Sequence, residues 1–146
     1  MSIFASLTTT TIPLPFDPPH TVTIQKLSGR LVDGAQLEHM RGFVEGRGRN
    51  WAVKFLALAR AGTASNVDAQ QVLDDPLSGY DRIALVRGGL KAWTYEEAGK
   101  PKPITDAAIE DLDDEALEFL ARAVLQLTKP ALFQTAEQRE ADQKNG

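Results

Sequence analysis

The side chains that could do chemistry in this chain are concentrated in one acidic run, Asp106, Glu110, Asp111, Asp113, Asp114, Glu115 and Glu118, with no Lys or Arg between them. Closely spaced carboxylates can hold calcium or magnesium. A calcium loop of the Asp-x-Asp-x-Asp-Gly type, however, needs a Gly at its turn and a distal Glu, and the Gly is missing here. Acidic residues also collect in the first turn of a helix, where the positive end of the helix dipole stabilises each by about 0.3–1 kcal/mol. That accounts for only part of the run. The rest reads either as a solvated face or as a docking patch for a basic partner.

The other constellations carry less. Gly46-Arg47-Gly48-Arg49 has the look of a phosphate loop, but a Walker loop needs Gly-Lys-Ser/Thr opening a helix after a strand, and neither condition is met. Arg47, Arg49, Lys54 and Arg60 could contact nucleic acid, but a net charge of −4 opposes it. An interhelical turn is the better reading. His20 and His39 are the only histidines, and neither sits in a His-x-x-x-His or Ser/His/Asp context. The absence of Cys removes disulfides, thiolate metal sites and thiol nucleophiles. No nucleophile, base and oxyanion donor assemble, so no enzyme, metal or cofactor is expected. Trp93 and Tyr95 are read as interface anchors or as core aromatics.

Several elements must position these residues. Thr21 to Leu27 alternates, with Val22 and Ile24 opposite Thr21, Thr23 and Gln25, which is strand periodicity. A lone strand is not stable, so it needs a partner in the preceding Pro/Thr-rich arm or in another subunit. Asp33 is placed to cap a helix bearing Leu37, Met40, Phe43 and Val44, and a second helix is expected from Trp51 to Ala61. Thr63 to Pro76 reads as a connection. Ser78 and Asp81 form a capping-box spacing, so a helix is expected to start near Gly79 and end at Trp93, with Ile83, Val86, Leu90 and Trp93 on its seam and Arg82 off it. Gly88-Gly89 costs this helix about 1 kcal/mol per glycine relative to alanine, which calls for close packing there. The stretch from Gly99 to Pro103 stops the helix. Thr105 caps a short turn through Ile109. Asp113 or Asp114 opens a last helix with Leu112, Ala116, Phe119, Leu120, Ala123, Val124 and Leu127 inward, ending at Pro130.

The fold class expected is α+β and mainly helical: a small N-terminal β element followed by a bundle of about four to five helices. Residues 1–20 form an extended arm, 21–130 a single domain and 131–146 a polar tail. The first 60 residues hold seven basic against four acidic side chains and the remainder nine against sixteen, so the halves carry opposite charge. Two solvated faces or an oriented self-association would both follow from this. No apolar run reaches the roughly 18 residues that a membrane helix needs, and Met1-Ser2-Ile3-Phe4 lacks the parts of a signal peptide, so a cytosolic protein is expected.

Tyr80-Asp81-Arg82-x-x-Leu85-Val86-Arg87-x-Gly89-Leu90-Lys91-Ala92-Trp93, followed by Pro103-Ile104-Thr105, Ile109-x-x-Leu112 and an aliphatic helix to Leu127, resembles the tail assembly chaperones of long-tailed bacteriophages. The resemblance covers about two thirds of the chain. It implies a non-catalytic protein of the host cell cytoplasm that binds the tape-measure protein, keeps it soluble and helps recruit the tail-tube protein, without staying in the mature virion. It also implies a homo-oligomer, in which plus half would meet minus half as a heterologous contact. The partner-binding residues on this reading are Trp93, Tyr95, Asp106, Glu110, Asp111, Asp114 and Glu118, and charge reversal at Asp111 or Glu118 should spare the fold. A structural virion protein of the head–tail joining or tail-completion type is the alternative, with the Pro/Thr arm as a donated extension.

Overall fold

A computed structural model of the chain describes residues 4–45 and 75–134. The expected turn at Gly46-Arg47-Gly48-Arg49, the helix from Trp51 to Ala61, most of the connection from Thr63, most of the C-terminal tail and the side chains of Phe43 and Val44 lie outside the described residues.

The alternation at Thr21–Gln25 (β2) does what its period demands: Val22 and Ile24 are buried and their neighbours are not. Its first partner comes from the preceding arm. Thr9–Pro13 (β1) runs antiparallel to it, with Thr9 opposite Gln25 and Pro13 opposite Thr21. Its second partner, Leu90–Trp93 (β3), also runs antiparallel, with Val22 opposite Trp93 and a register shift after Thr23. The sheet order is therefore β1-β2-β3.

That third strand corrects the expected helix ending at Trp93. The helix spans Arg82–Gly89 (α2), and its N-cap is Asp81, whose side chain accepts from the Ala84 amide at 2.8 Å. Gly88 and Gly89 weaken the helix where it ends, and Leu90–Trp93 exchanges helical bonds for ladder bonds to β2. The β part of the fold is thus not confined to the N-terminus.

Gly29–Glu45 (α1) begins before the expected cap. Ser28 Oγ accepts from Leu31 N at 3.4 Å, and Asp33 lies exposed inside the helix. Among the residues of this helix whose burial is described, Val32 and Ala35 are buried, whereas Leu37 and Met40 are 56% and 63% exposed. The inward face is thus not the one drawn through Leu37 and Met40.

After β3 the chain makes a hairpin of Glu96–Glu97 (β4) and Lys100–Pro101 (β5), turned by Ala98 and Gly99 at φ 54° and 78°. Positive φ at both central positions is the geometry of a two-residue hairpin turn, and Gly99 adopts it without steric cost. Asp106–Glu110 (α3) is capped by Thr105, as its spacing predicts. Asp114–Thr128 (α4) is capped by Asp113, whose carboxylate accepts from Ala116 N at 2.8 Å. Leu120 and Val124 are buried as expected. Leu117, Ala121 and Leu125 complete the buried face, while Phe119, Ala123 and Leu127 are only half-buried.

The architecture is α+β: a three-stranded antiparallel sheet with α2 packed against both α1 and α4. Helices α2 and α4 approach closely at Gly89, where an added Cβ would lie 2.5 Å from Val124 Cγ1. Buried Thr128 ties the end of α4 to the link between β2 and α1, accepting from Leu27 N at 3.0 Å and donating to Val124 O at 2.8 Å. Among the described residues no helix is long and apolar enough to cross a membrane.

Candidate functional site

The inner face of β1 and β2 stops short of covering α4, and the gap is an apolar groove of about 490 Å³. Thr10, Ile12, Pro13 and Pro15 form one wall, Ile24 the back, and Phe119, Ala123, Gln126 and Leu127 the floor. Half-buried Phe119, Ala123 and Leu127 of α4 thus face the groove. Phe16 closes one end edge-on against Phe119, with ring centroids 5.4 Å apart. Arg122 is the one charged side chain among the described residues of the lining, and it is held by Asp75 at 2.8 Å and Glu118 at 3.0 Å. Burial alone would lower its pKa, but the two carboxylates outweigh burial and raise it. A second, more polar groove of about 420 Å³ lies between α1 and α2, lined by Leu31, Leu37 and Ala84 with Glu38, Arg87 and Lys91.

The acidic run does not converge. Asp106 sits exposed at the start of α3 and pairs with Arg87 at 3.0 Å. Glu110 and Asp111 are exposed around the end of α3, and Asp114 is exposed in the first turn of α4. Among the described residues no group of three His, Asp or Glu side chains is arranged to hold a metal. Glu118 is different, and its surroundings correct the expectation that reversing its charge spares the fold. It accepts from Arg82 Nε at 3.0 Å and from Arg122 Nη2 at 3.0 Å. Arg82, expected to lie off the seam, is only 2% exposed; its Nη1 donates to the carbonyls of Leu77 and Tyr80. A buried guanidinium needs a carboxylate nearby, and Glu118 supplies it. Nothing in the sequence pattern distinguishes Arg82 from a surface arginine, because its partners come from a loop and from α4.

Trp93 and Tyr95 pack as a pair, edge to face at 5.8 Å. Trp93 Nε1 donates to Lys102 O at 2.6 Å, so its indole closes the hairpin against the sheet. Tyr95 stacks on His20 at 4.1 Å and donates its hydroxyl proton to Asp17, while His20 Nδ1 shares a hydrogen bond of 2.9 Å with Thr94 Oγ1. Together these contacts strap the loop after β1 to the segment after β3. Sequence reasoning missed the strap, since its members are more than seventy residues apart.

Burial first, then the hydrogen bond to Asp17 and its charge, push the Tyr95 hydroxyl up from its ordinary 10.0 to about 12. A raised pKa means that the strap's contribution to stability is complete below about pH 10 and is lost as the pH climbs towards 12. The difference between ultraviolet titrations of the wild type and Tyr95→Phe should show Tyr95 ionising late, and Asp17→Asn should bring that ionisation down. A Tyr95 that ionises at its ordinary 10.0 in the native protein would contradict this.

Comparison with family models, with curated proteins and with solved structures finds no match to this chain. The molecule is therefore characterised by its own geometry: an α+β domain with an apolar groove beside the outer edge of its three-stranded sheet.

Proposed function

We propose that the protein is a non-catalytic phage tail assembly chaperone, which binds the tape-measure protein, keeps it soluble in the host cytoplasm, helps recruit tail-tube subunits and leaves before the virion matures. The observation that carries this reading is the groove between β1 and α4, a hydrophobic surface that the described residues leave uncovered. On the resemblance a tape-measure protein is a long hydrophobic client, and a groove with a largely apolar floor, in which the charge of Arg122 is neutralised by two carboxylates, suits its apolar segments. The exposed carboxylates Asp111 and Asp114 lie at the other end of α4 from Ala123 and Leu127, where they offer a second contact to basic client residues. Trp93, Tyr95, Asp106 and Glu110 complete the proposed contact set. The helical layout of the tail chaperones is part of the proposal, and the packing of α2 against both α1 and α4 supports it.

Co-expression with the tape-measure protein of the same genome tests the reading. The wild-type chain should keep that client soluble, and Ala123→Lys, which puts a charge on the groove floor at a half-buried position, should lower the soluble fraction about tenfold while leaving the melting temperature nearly unchanged. A client equally soluble with either chain, or with neither, would sink the proposal. The alternative, a structural virion protein, loses its motivating feature because Thr9–Pro13 of the arm pairs within its own chain. Abundant copies in purified particles would revive it.

A further inference from the structure

The outer edge of β1 has a hydrogen-bonding pattern that complements itself. Lys26 N donates to Thr8 O and Leu14 N to His20 O, at 2.9 and 3.0 Å, so the even-numbered residues of this stretch direct their backbone groups to β2. By the alternation of an antiparallel ladder, Thr9, Thr11 and Pro13 direct theirs away from the sheet. No described group pairs with the amides of Thr9 and Thr11. Edge strands are ordinarily defended by charged side chains, bulges or a covering element. From Thr8 to Pro15 there is no charged residue, and among the described residues the single defence is Pro13, whose missing N–H stands at the end of the edge.

We propose that β1 pairs with β1 of a second copy of this chain about a two-fold axis at Thr10, joining the two sheets into one. In this register Thr9 faces Thr11 of the partner subunit as a narrow pair, and both of its hydrogen bonds form on either side of the axis. The register uses every outward amide the edge possesses and asks nothing of Pro13. Thr10 meets the partner subunit's Thr10 across the axis, and Ile12 meets the partner subunit's Thr8. Every such pair is uncharged, so no like-charge repulsion opposes the approach, and threonine pairs across strands are favourable. The existing Thr11–Thr23 hydroxyl contact, at 2.9 Å, is the same interaction on the same sheet. Ile12 and Thr10 also line the groove, so the pairing brings the two grooves side by side beneath the joined sheet. The contact is isologous and differs from the plus-to-minus association that the charge asymmetry suggests. It does not depend on the identity of the client.

Sedimentation velocity on the full chain over a wide concentration range tests the register. The wild type should sediment as a dimer. Thr10 is exposed in one chain, so Thr10→Lys and Thr10→Glu should each keep the native circular dichroism and melting temperature. Each places like charges directly opposed across the axis and should weaken dimerisation about tenfold or more. An equimolar mixture of the two variants should recover the dimer, which a merely damaged fold would not do. A monomeric wild type, variants that dimerise as well as the wild type, or a mixture that stays monomeric would each overturn the proposal.

Discussion

Gly89→Ala should destabilise the domain by about 3 kcal/mol and lower its melting temperature by about 10 °C, although alanine is the better helix former. The added methyl would lie 2.5 and 2.7 Å from the two γ-carbons of Val124 and 3.1 Å from its Cβ. Those atoms cannot swing away. A β-branched side chain in a helix is held in one rotamer, and Val124 is fully buried in α4. The only relief is to move α2 away from α4, which loosens the packing of these two helices in the core. Gly88 provides the control. Its nearest neighbour is Leu27 Cδ2 at 2.9 Å, the tip of a flexible side chain, so Gly88→Ala should cost about 1 kcal/mol or less. Val124→Ala should cost about 2 kcal/mol alone through the cavity it leaves, yet the double variant Gly89→Ala/Val124→Ala should be more stable than the sum of the two single losses by about 1 kcal/mol or more. Chemical denaturation of the four proteins measures this coupling. Additive losses would mean that the steric account is wrong.

The same glycines show what was legible in the sequence. That Gly88-Gly89 requires close packing follows from their cost in a helix, and Val124 answers that requirement at Gly89. The caps at Thr105 and Asp113 were equally legible, because an N-cap is a local interaction over three residues. The end of α2 was not. Ile83, Val86, Leu90 and Trp93 keep a helical spacing, but Leu90 and Trp93 are drawn into β3 by β2, a strand more than sixty residues earlier. Local periodicity carries no trace of that pairing. The start of α1 at Ser28 was available from sequence, but Ser28-Gly29 also serves as a strand stop, and the two signals compete. In α4 the strip through Phe119, Ala123 and Leu127 is apolar because it faces the groove, and only the structure separates groove floor from core. The sequence places Arg82 off the helix seam and Glu118 in a docking patch, and it misses their buried pairing for the same reason: burial of a charge is decided by tertiary partners.

Glu118→Lys should be the most damaging substitution in the acidic run, costing about 3 kcal/mol, whereas Asp111→Lys should change stability by about 0.5 kcal/mol or less. The difference lies in what each carboxylate touches. Glu118 holds Arg82, whose guanidinium is buried and already has one nitrogen, Nη2, without a hydrogen-bond partner among the described residues. Removing Glu118 leaves that charge with two backbone carbonyls only, and a lysine in its place adds repulsion. The full penalty of a broken buried pair, about 3–5 kcal/mol, is moderated because Glu118 is 36% exposed and water screens part of the loss. Arg82→Met isolates the pair. An apolar side chain of similar length strands the carbonyls of Leu77 and Tyr80 but removes the buried charge, so it should cost about 1–2 kcal/mol. In that background Glu118→Lys should lose about 2 kcal/mol of its effect, measured by denaturant unfolding of all four chains. Equal losses at Glu118 with and without Arg82 would show that the carboxylate acts elsewhere, with Arg122 the remaining partner. A client-binding defect in Glu118→Lys would therefore reflect unfolding as much as docking. Asp111→Lys, which leaves the core untouched, is the variant whose binding defect would locate the acidic contact.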